Sequence, residues 1–401
     1  MKRGLKLSVL CVCMVVVSCK SADTAKTHII NFPEAIDNIG IVNLSDVAKS
    51  IRYVPLETRG DALVGQMTRT SYDGTHIIVA DLQSGIINVF DNSGKFVKSI
   101  NKRGRGPEEF SSSISNISFF DGNIVVMTIQ EVLEYDMAGN FIGRVATPKV
   151  EGYNVMSPAI IGENRYAAIL VDFATGNKEY CAVVYDSLLV VEQLIATPSD
   201  TDIQMMSPPP RSNTDGVVRA VAFLPTKLVQ NSDKFFLFQP ESREILSIEN
   251  PNIIDTAYVI EYGGYKMPEG LMPREAAESR YLSLSSFIES EKFLFMTINS
   301  MATIVTTLGS RMMNFLYDKQ TKKTSLLYDK AEGKKGFKDD IAGGPEFWPG
   351  SLFGKKTVLS NITALSLIEF AESNTVSKEL EKIISAIDEN SNPVIAIVEL
   401  K

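Results

Sequence analysis

An all-β, six-bladed β-propeller closed by pairing of its N- and C-terminal strands is the fold this sequence predicts. Three observations predict it: one hairpin phrase recurs along the chain, its copies lie 45 to 50 residues apart where they run consecutively, and each end of the chain holds strands that complete no unit alone. The phrase is INVFDNSGKFVKSI at residues 87–100, VLEYDMAGNFIGRV at 132–145, AVVYDSLLVVEQLI at 182–195 and NFLYDKQTKKTSLL at 314–327. Each copy reads as a strand ending in aromatic-Asp, a short turn and an alternating strand, the pattern of a β-hairpin. The aspartate suits the turn because its carboxylate accepts bonds from the backbone N–H groups just ahead of it.

The aromatic positions Phe90, Tyr135 and Tyr185 are spaced like four-stranded propeller blades of ~40–50 residues. The 132 residues from Tyr185 to Tyr317 require further units, and FFLFQPESREILSI at 235–248 reads as a degraded copy with Gln239 in the Asp position. That makes five blades. The sixth comes from the ends: a strand Arg52–Leu56 is expected to join strands of the C-terminal NPVIAIVELK, which closes the ring and removes exposed sheet edges. A pair of open sandwiches would leave the spacing unexplained.

One flanking helix interrupts the pattern near the C-terminus. In VSKELEKIISAIDEN, Val376, Leu380, Ile383, Ile384 and Ile387 share one helical face, and Asn390 with Asn392-Pro393 stops the run. A second short helix is expected from Pro273, within a connection over 261–285 that would cover one face of the ring.

The chain opens MKRGLKLSVLCVCMVVVSCK, with Lys2, Arg3 and Lys6 before an apolar run, Leu7 to Val17, too short to span a bilayer. Its end, Val16-Val17-Ser18-Cys19, resembles a bacterial lipobox, in which the cysteine is acylated and becomes the first mature residue. The expected organisation is a signal peptide at 1–18, a tether and lead-in at 19–45 and a single propeller domain at 46–401. The stretch KSADTAKTHIIN extends at most about 40 Å, so the leash is short. The chain is expected at the membrane through its lipid, in the cell envelope and on the outer membrane.

Loss of residues 1–18 removes three positive charges, taking the net charge from −8 to −11, which argues against nucleic acid as a partner. Cys11 and Cys13 leave with the signal and Cys19 carries lipid, so Cys181 stands alone; no disulfide framework can form, and a buried structural thiol is expected. With only His28 and His76, histidine catalysis and ordinary zinc sites lack material. His76 is read as the first residue of a strand after the turn in SYDGTH, a stretch short of the spacing and trailing aromatic of a sialidase Asp-box.

YVPLET, FDNSGKFVKSINKRGRGPEEF, DDIAGGPEFWP and NPVIAIVELK, in that order, resemble the six-bladed β-propeller lipoproteins of Bacteroidetes-type Gram-negative bacteria. The resemblance covers nearly the whole mature chain, is weakest over about 150–280, and implies fold and envelope location without catalytic residues to carry over.

Two stretches concentrate chemistry. INKRGRGPEEF at 100–110 has neither GxxxxGK[ST] nor a following helix, so it is no phosphate loop; it is read as the crossing from the first blade to the second. Its glycines are expected to supply tight-turn φ values, with Arg103, Arg105 and Glu108 bracing the connection or binding an acidic group. DDIAGGPEFWPG at 339–350 sets Trp348, the only tryptophan, near Asp339, Asp340 and Glu346, an aromatic platform beside carboxylates that suits either a sugar ring or blade packing. The functional expectation is a binding or interaction module for a glycan or an envelope protein, with no catalytic residues, metal or cofactor. The alternative is a hydrolase, lyase or lactonase using carboxylates, with or without a cation such as calcium, on the propeller axis.

Overall fold

In the computed structural model, residues 28–65, 67–172, 179–198, 226–231, 234–240, 242–249, 253–266, 281–300 and 312–401 are described. Six antiparallel sheets follow one another along the chain. Blade 1 comprises Thr68–Tyr72, His76–Asp81, Ile86–Asp91 and Phe96–Asn101; blade 2 comprises Ile114–Phe120, Asn123–Thr128, Glu131–Tyr135 and Phe141–Ala146. Blade 3 holds Asn154–Gly162, Arg165–Val171, Tyr180–Asp186 and Val191–Ala196, and blade 4 holds Lys227–Asn231, Lys234–Phe238, Glu244–Glu249 and Ile253–Glu261. Blade 5 is built from Leu282–Glu289, Phe293–Ser300, Met312–Asp318 and Thr324–Asp329. Blade 6 takes three strands from the C-terminal end, Ser351–Phe353, Thr357–Ile362 and Val394–Leu400, and its outer strand, Ala48–Pro55, from the N-terminal end.

The closure is as expected, with Val394 opposite Pro55 and Leu400 opposite Ala48 in an antiparallel ladder. First strands of neighbouring blades touch one another, as in blades 1 and 2, 4 and 5, 5 and 6, and 6 and 1, which places them around the axis. Because strands alternate in direction, the turns joining first to second and third to fourth strands emerge on one face of the ring. The second-to-third turns and the connections between blades emerge on the other. The first is the turn face and the second the connection face.

Apolar layers between blades hold the ring together. Ile78, Val89 and Ile100 of blade 1 meet Ile117, Ile124 and Tyr135 of blade 2 in one such layer. The repeated aromatics Phe90, Tyr135, Tyr185 and Tyr317 are all fully buried. The turn aspartates act as expected: Asp91 Oδ1 accepts from the N–H groups of Ser93 at 2.8 Å and Lys95 at 3.0 Å, and Asp186 Oδ1 from those of Leu188 and Val190 at 2.9 Å.

In each of these turns the residue before the closing pair has positive φ. Gly94 (+86°) and Gly139 (+85°) fill it in blades 1 and 2, but Leu189 (+66°) and Lys322 (+59°) in blades 3 and 5. A side chain there costs about 1–2 kcal/mol of backbone strain. At Gly94 a Cβ would also run into the Pro55 carbonyl, whereas at Gly139 it would meet only the Ile100 side chain, at 3.2 Å. Gly94→Ala should therefore lower stability by about 3 kcal/mol and Gly139→Ala by about 1 kcal/mol, read from urea midpoints at constant m-value.

The structure corrects four expectations. The 235–248 copy is real but displaced: Lys234–Phe238 and Glu244–Glu249 are the second and third strands of blade 4, not the third and fourth. Gln239 thus matches Asp81, which caps the corresponding turn of blade 1 through Gln83 and Ser84, rather than Asp91. Both turns follow a buried apolar strand, so the sequence phrase is the same.

The ring also begins before residue 46. His28–Asn31 adds a parallel fifth strand to blade 4, and Ile39–Gly40 pairs in parallel with the outer strand of blade 5. Val42–Asn43 pairs with Phe337–Lys338 of the connection after blade 5, so the lead-in wraps around the outside of blades 4 and 5. Two helices, not one, precede the last strand. Ala364–Ser373, capped by Thr363, joins the expected Lys378–Ser385, capped by Ser377. The second helix packs Leu380, Ile383 and Ile384 on blade 6 as anticipated. Finally, neither Gly104 nor Gly106 has positive φ. The helix expected from Pro273 falls outside the described residues.

Candidate functional site

The two chemically loaded stretches prove to be equivalent parts, since each links an outer strand to the next blade's inner strand on the connection face. In the first, Phe110 is fully buried between blades 1 and 2, and its backbone closes a loop: its N–H donates to the Lys102 carbonyl and its carbonyl accepts from Gly104 N–H. Glu109 folds under the loop, its Oε2 accepting from Gly106 N–H at 2.8 Å, and a Cβ on Gly104 would collide with that carboxylate. Space, rather than φ, is what these glycines provide.

Arg103 donates to the Gln83 carbonyl of its own blade, and Lys102 Nζ lies 3.1 Å from Glu108 Oε2. The Glu108 and Glu109 carbonyls accept from Tyr135 Oη at 2.8 Å and Arg144 at 2.6 Å, both on blade 2. Arg105 is exposed and makes no hydrogen bond or ion pair among the described residues. The stretch is a brace between blades.

In the second stretch, Asp339 is buried, and its two oxygens accept from Tyr53 Oη, Ile341 N, Ala342 N and Gly344 N at 2.8–3.1 Å. Burial, and then the Asp339 charge, pushes the Tyr53 phenol far above its ordinary range. Asp340 is exposed and accepts from the Ser45 N–H at 2.9 Å and its hydroxyl at 2.5 Å. Partial desolvation works against ionisation, but those bonds hold its carboxyl below the usual range. Glu346 pairs with Lys334 at 3.1 Å. Trp348 stacks on Phe337, meets Phe295 edge-on and donates to Thr297 Oγ1 at 3.1 Å. It is half-buried in the joint between blades 5 and 6, so the aromatic platform is spent on packing.

Cys181 is buried, with its thiol pushed up to about 12 by desolvation, as a structural cysteine should be. His76 starts its strand beside Asp73, whose Oδ1 caps the turn through Thr75 and His76 N–H groups.

The axis offers something different. The six inner strands read TRTSY, ISNISFF, NVMSPAIIG, KLVQN, LSLSSFIE and SLF. Among their polar residues hydroxyls and amides are the commonest, and Glu289 is the single carboxylate, already accepting from Tyr258 Oη and Lys319 Nζ at the turn-face end. Among the described residues no three His, Cys, Asp or Glu side chains gather as a metal site.

On the connection face the inner strand of blade 6 is only three residues long, so it leaves the end of Thr357–Ile362 uncovered. There Asn361 Nδ2 donates to Thr70 Oγ1 at 2.7 Å, and Thr68 Oγ1 lies 3.4 Å away. Between those threonines, on the opposite side of the strand, stands the exposed Arg69. Asn116, Asn154 and Lys227 occupy the same end of the inner strands of blades 2, 3 and 4. This axial mouth, built of amides, hydroxyls and two cations, was missed in the sequence. The signal was available in part, as inner strands almost without acidic residues.

A family model matches residues 27–399. The chain belongs to the family described as Domain of unknown function (DUF4934). No curated protein matches this DUF4934 chain in sequence. Among solved structures it is similar to a "Putative exported protein" from Bacteroides fragilis NCTC 9343, with TM-score 0.68 and 16% identity over 94% of this chain and 99% of that one. A member of the DUF4221 family from Bacteroides vulgatus aligns with TM-score 0.47 and 10% identity over 88% and 97%.

Proposed function

We propose that this DUF4934 propeller is a lipid-anchored, extracytoplasmic binding module that takes a neutral or acidic saccharide at its axial mouth. The observation that carries the reading is the composition of the inner strands. Amides and hydroxyls with Arg69 and Lys227 suit a polyhydroxylated ligand, while among the described residues the inner strands carry one carboxylate, Glu289, already engaged. The lipobox at Cys19 and the similarity to the Bacteroides fragilis structure described as a "Putative exported protein" support the envelope location. The hydrolase alternative would need acidic residues converging on the axis, and the inner strands do not supply them.

The test is calorimetric titration of the mature chain with neutral and uronic-acid oligosaccharides. Arg69→Ala is expected to weaken binding about tenfold, the loss of one charge-assisted contact, while leaving the urea midpoint unchanged. Calcium-dependent turnover of a lactone or glycoside, with no saturable saccharide binding, would overturn the reading.

A further inference from the structure

The turn face divides by chemistry into sectors. Blades 1 and 2 place Asp73, Asp121 and Asp136 there, and blade 3 adds Glu163. Blades 5 and 6 instead place Lys292, Lys322, Lys323 and Lys355 there, all exposed, with Lys356 half-buried. Their turns interlock: Lys319 N–H donates to the Lys292 carbonyl, and Glu291 N–H to that of Lys355. The acids nearby are engaged, Glu289 with Lys319 at 2.6 Å and Glu291 with Lys356 at 3.0 Å. In a chain of net charge −8, this is a local reversal of sign.

Blade 3 contributes an apolar tip. Leu188, Leu189, Val190 and Val191 are 81, 41, 57 and 39% exposed, in the turn that reads DNSGK in blade 1 and DMAGN in blade 2. Leu189 and Lys322 both stand at the positive-φ position that glycine fills in those blades. One strained position carries an exposed apolar chain and the other an exposed cation, and neither contributes to the core.

The N-terminal segment joins the ring between these sectors. His28 Nδ1 lies 3.0 Å from Tyr317 Oη and packs against Tyr258, whose hydroxyl reaches Glu289 beside the Ser290–Lys292 turn. Eight residues, 20–27, separate it from Cys19, a reach of about 30 Å at most.

We infer that the turn face rests on an anionic lipid surface through blades 3, 5 and 6, with Leu188, Leu189 and Val190 in the interfacial layer and Lys292, Lys322, Lys323 and Lys355 against headgroups. Acyl chain, basic patch and apolar tip then act together, as two-signal membrane binding requires. The connection face, with the axial mouth, is held toward the aqueous side. The inference rests on the lipid anchor proposed above.

Acylated full-length chain, purified from membranes and reconstituted in phosphatidylethanolamine vesicles with and without phosphatidylglycerol, tests it. Environment-sensitive labels are attached through Leu188→Cys or, on the connection face, Arg105→Cys; Cys181 is buried and does not compete. Quenching by chain-labelled lipid is expected for the 188 label and not for the 105 label. K292E/K322E/K323E should reduce it at least about threefold at low salt, and 0.5 M salt should do the same to the unreversed protein. Equal or reversed quenching of the two labels, or indifference to charge reversal, overturns the inference. So does self-association through the tip, seen as concentration-dependent sedimentation that Leu188→Asp abolishes. Mass spectrometry of Cys19 reads acylation independently: an unacylated chain sinks the anchor, whereas an acylated chain with both labels in water sinks only the orientation.

Discussion

Asp339→Ala is expected to destabilise the propeller by about 4 kcal/mol. The carboxylate is 4% exposed and accepts from four donors, three of them backbone N–H groups of its own connection and the fourth the Tyr53 hydroxyl on the outer strand of blade 6. Removing it strands those donors in a site that water enters poorly, at roughly 1–3 kcal/mol for each one that cannot relax to a new partner. Asp339→Asn keeps the shape but turns one acceptor into a donor facing Gly344 N–H or Tyr53, so it should recover less than half of the loss. The neighbouring Asp340→Ala supplies the comparison. Its bonds to Ser45 are exposed, and its loss should cost about 1 kcal/mol, like a helix cap. Urea titration read by tyrosine and tryptophan emission measures all three variants. Equal midpoints for the two alanine variants would refute the assignment of Asp339 as a buried joint.

That pair shows what a single sequence withholds. Adjacent aspartates followed by Ile-Ala-Gly-Gly are indistinguishable by type, and as candidate ligand contacts they stood on the same footing. Their difference comes from Tyr53, 286 residues away and brought in only when the ring closes. The hairpins, by contrast, were legible because each is specified locally: alternation sets the strands, and an aspartate caps the turn with its own backbone. The same locality explains the misplacement in blade 4, where a buried strand and a polar turn fit two places in the blade. Wrapping of the outer blades by 28–43 was invisible because Ile39–Gly40 and Val42–Asn43 are too short to carry a period. Trp348 and Arg103 illustrate the converse. Both are residue types suited to ligands, but here they stand in joints between blades, where packing takes up their chemistry.

Asn392→Ala should cost about 3 kcal/mol and act on ring closure in particular. In the sequence this residue reads as a helix stop before Pro393, yet the helix has already ended at Ser385. Its side chain is buried and clasps the connection that follows the N-terminal strand. Nδ2 donates to the carbonyls of Glu57 and Ala62, both at 2.8 Å, and Oδ1 accepts from Val64 N–H at 2.9 Å. Its own N–H donates to Thr58 Oγ1 at 2.8 Å. Every one of these partners is more than 320 residues away, so the clasp forms only when the two ends of the chain meet. Contacts of such separation are expected late in folding, so the loss should appear mainly as faster unfolding, about a hundredfold, with little change in the refolding rate. Asn392→Asp should be at least as damaging, because a carboxylate cannot donate to the two carbonyls. Asn390→Ala, in an exposed turn where only the backbone N–H is engaged, should leave both rates unchanged. Stopped-flow unfolding in urea separates these outcomes, and a slowed refolding limb for Asn392→Ala would show instead that the ends of the ring meet before the blades between them are complete.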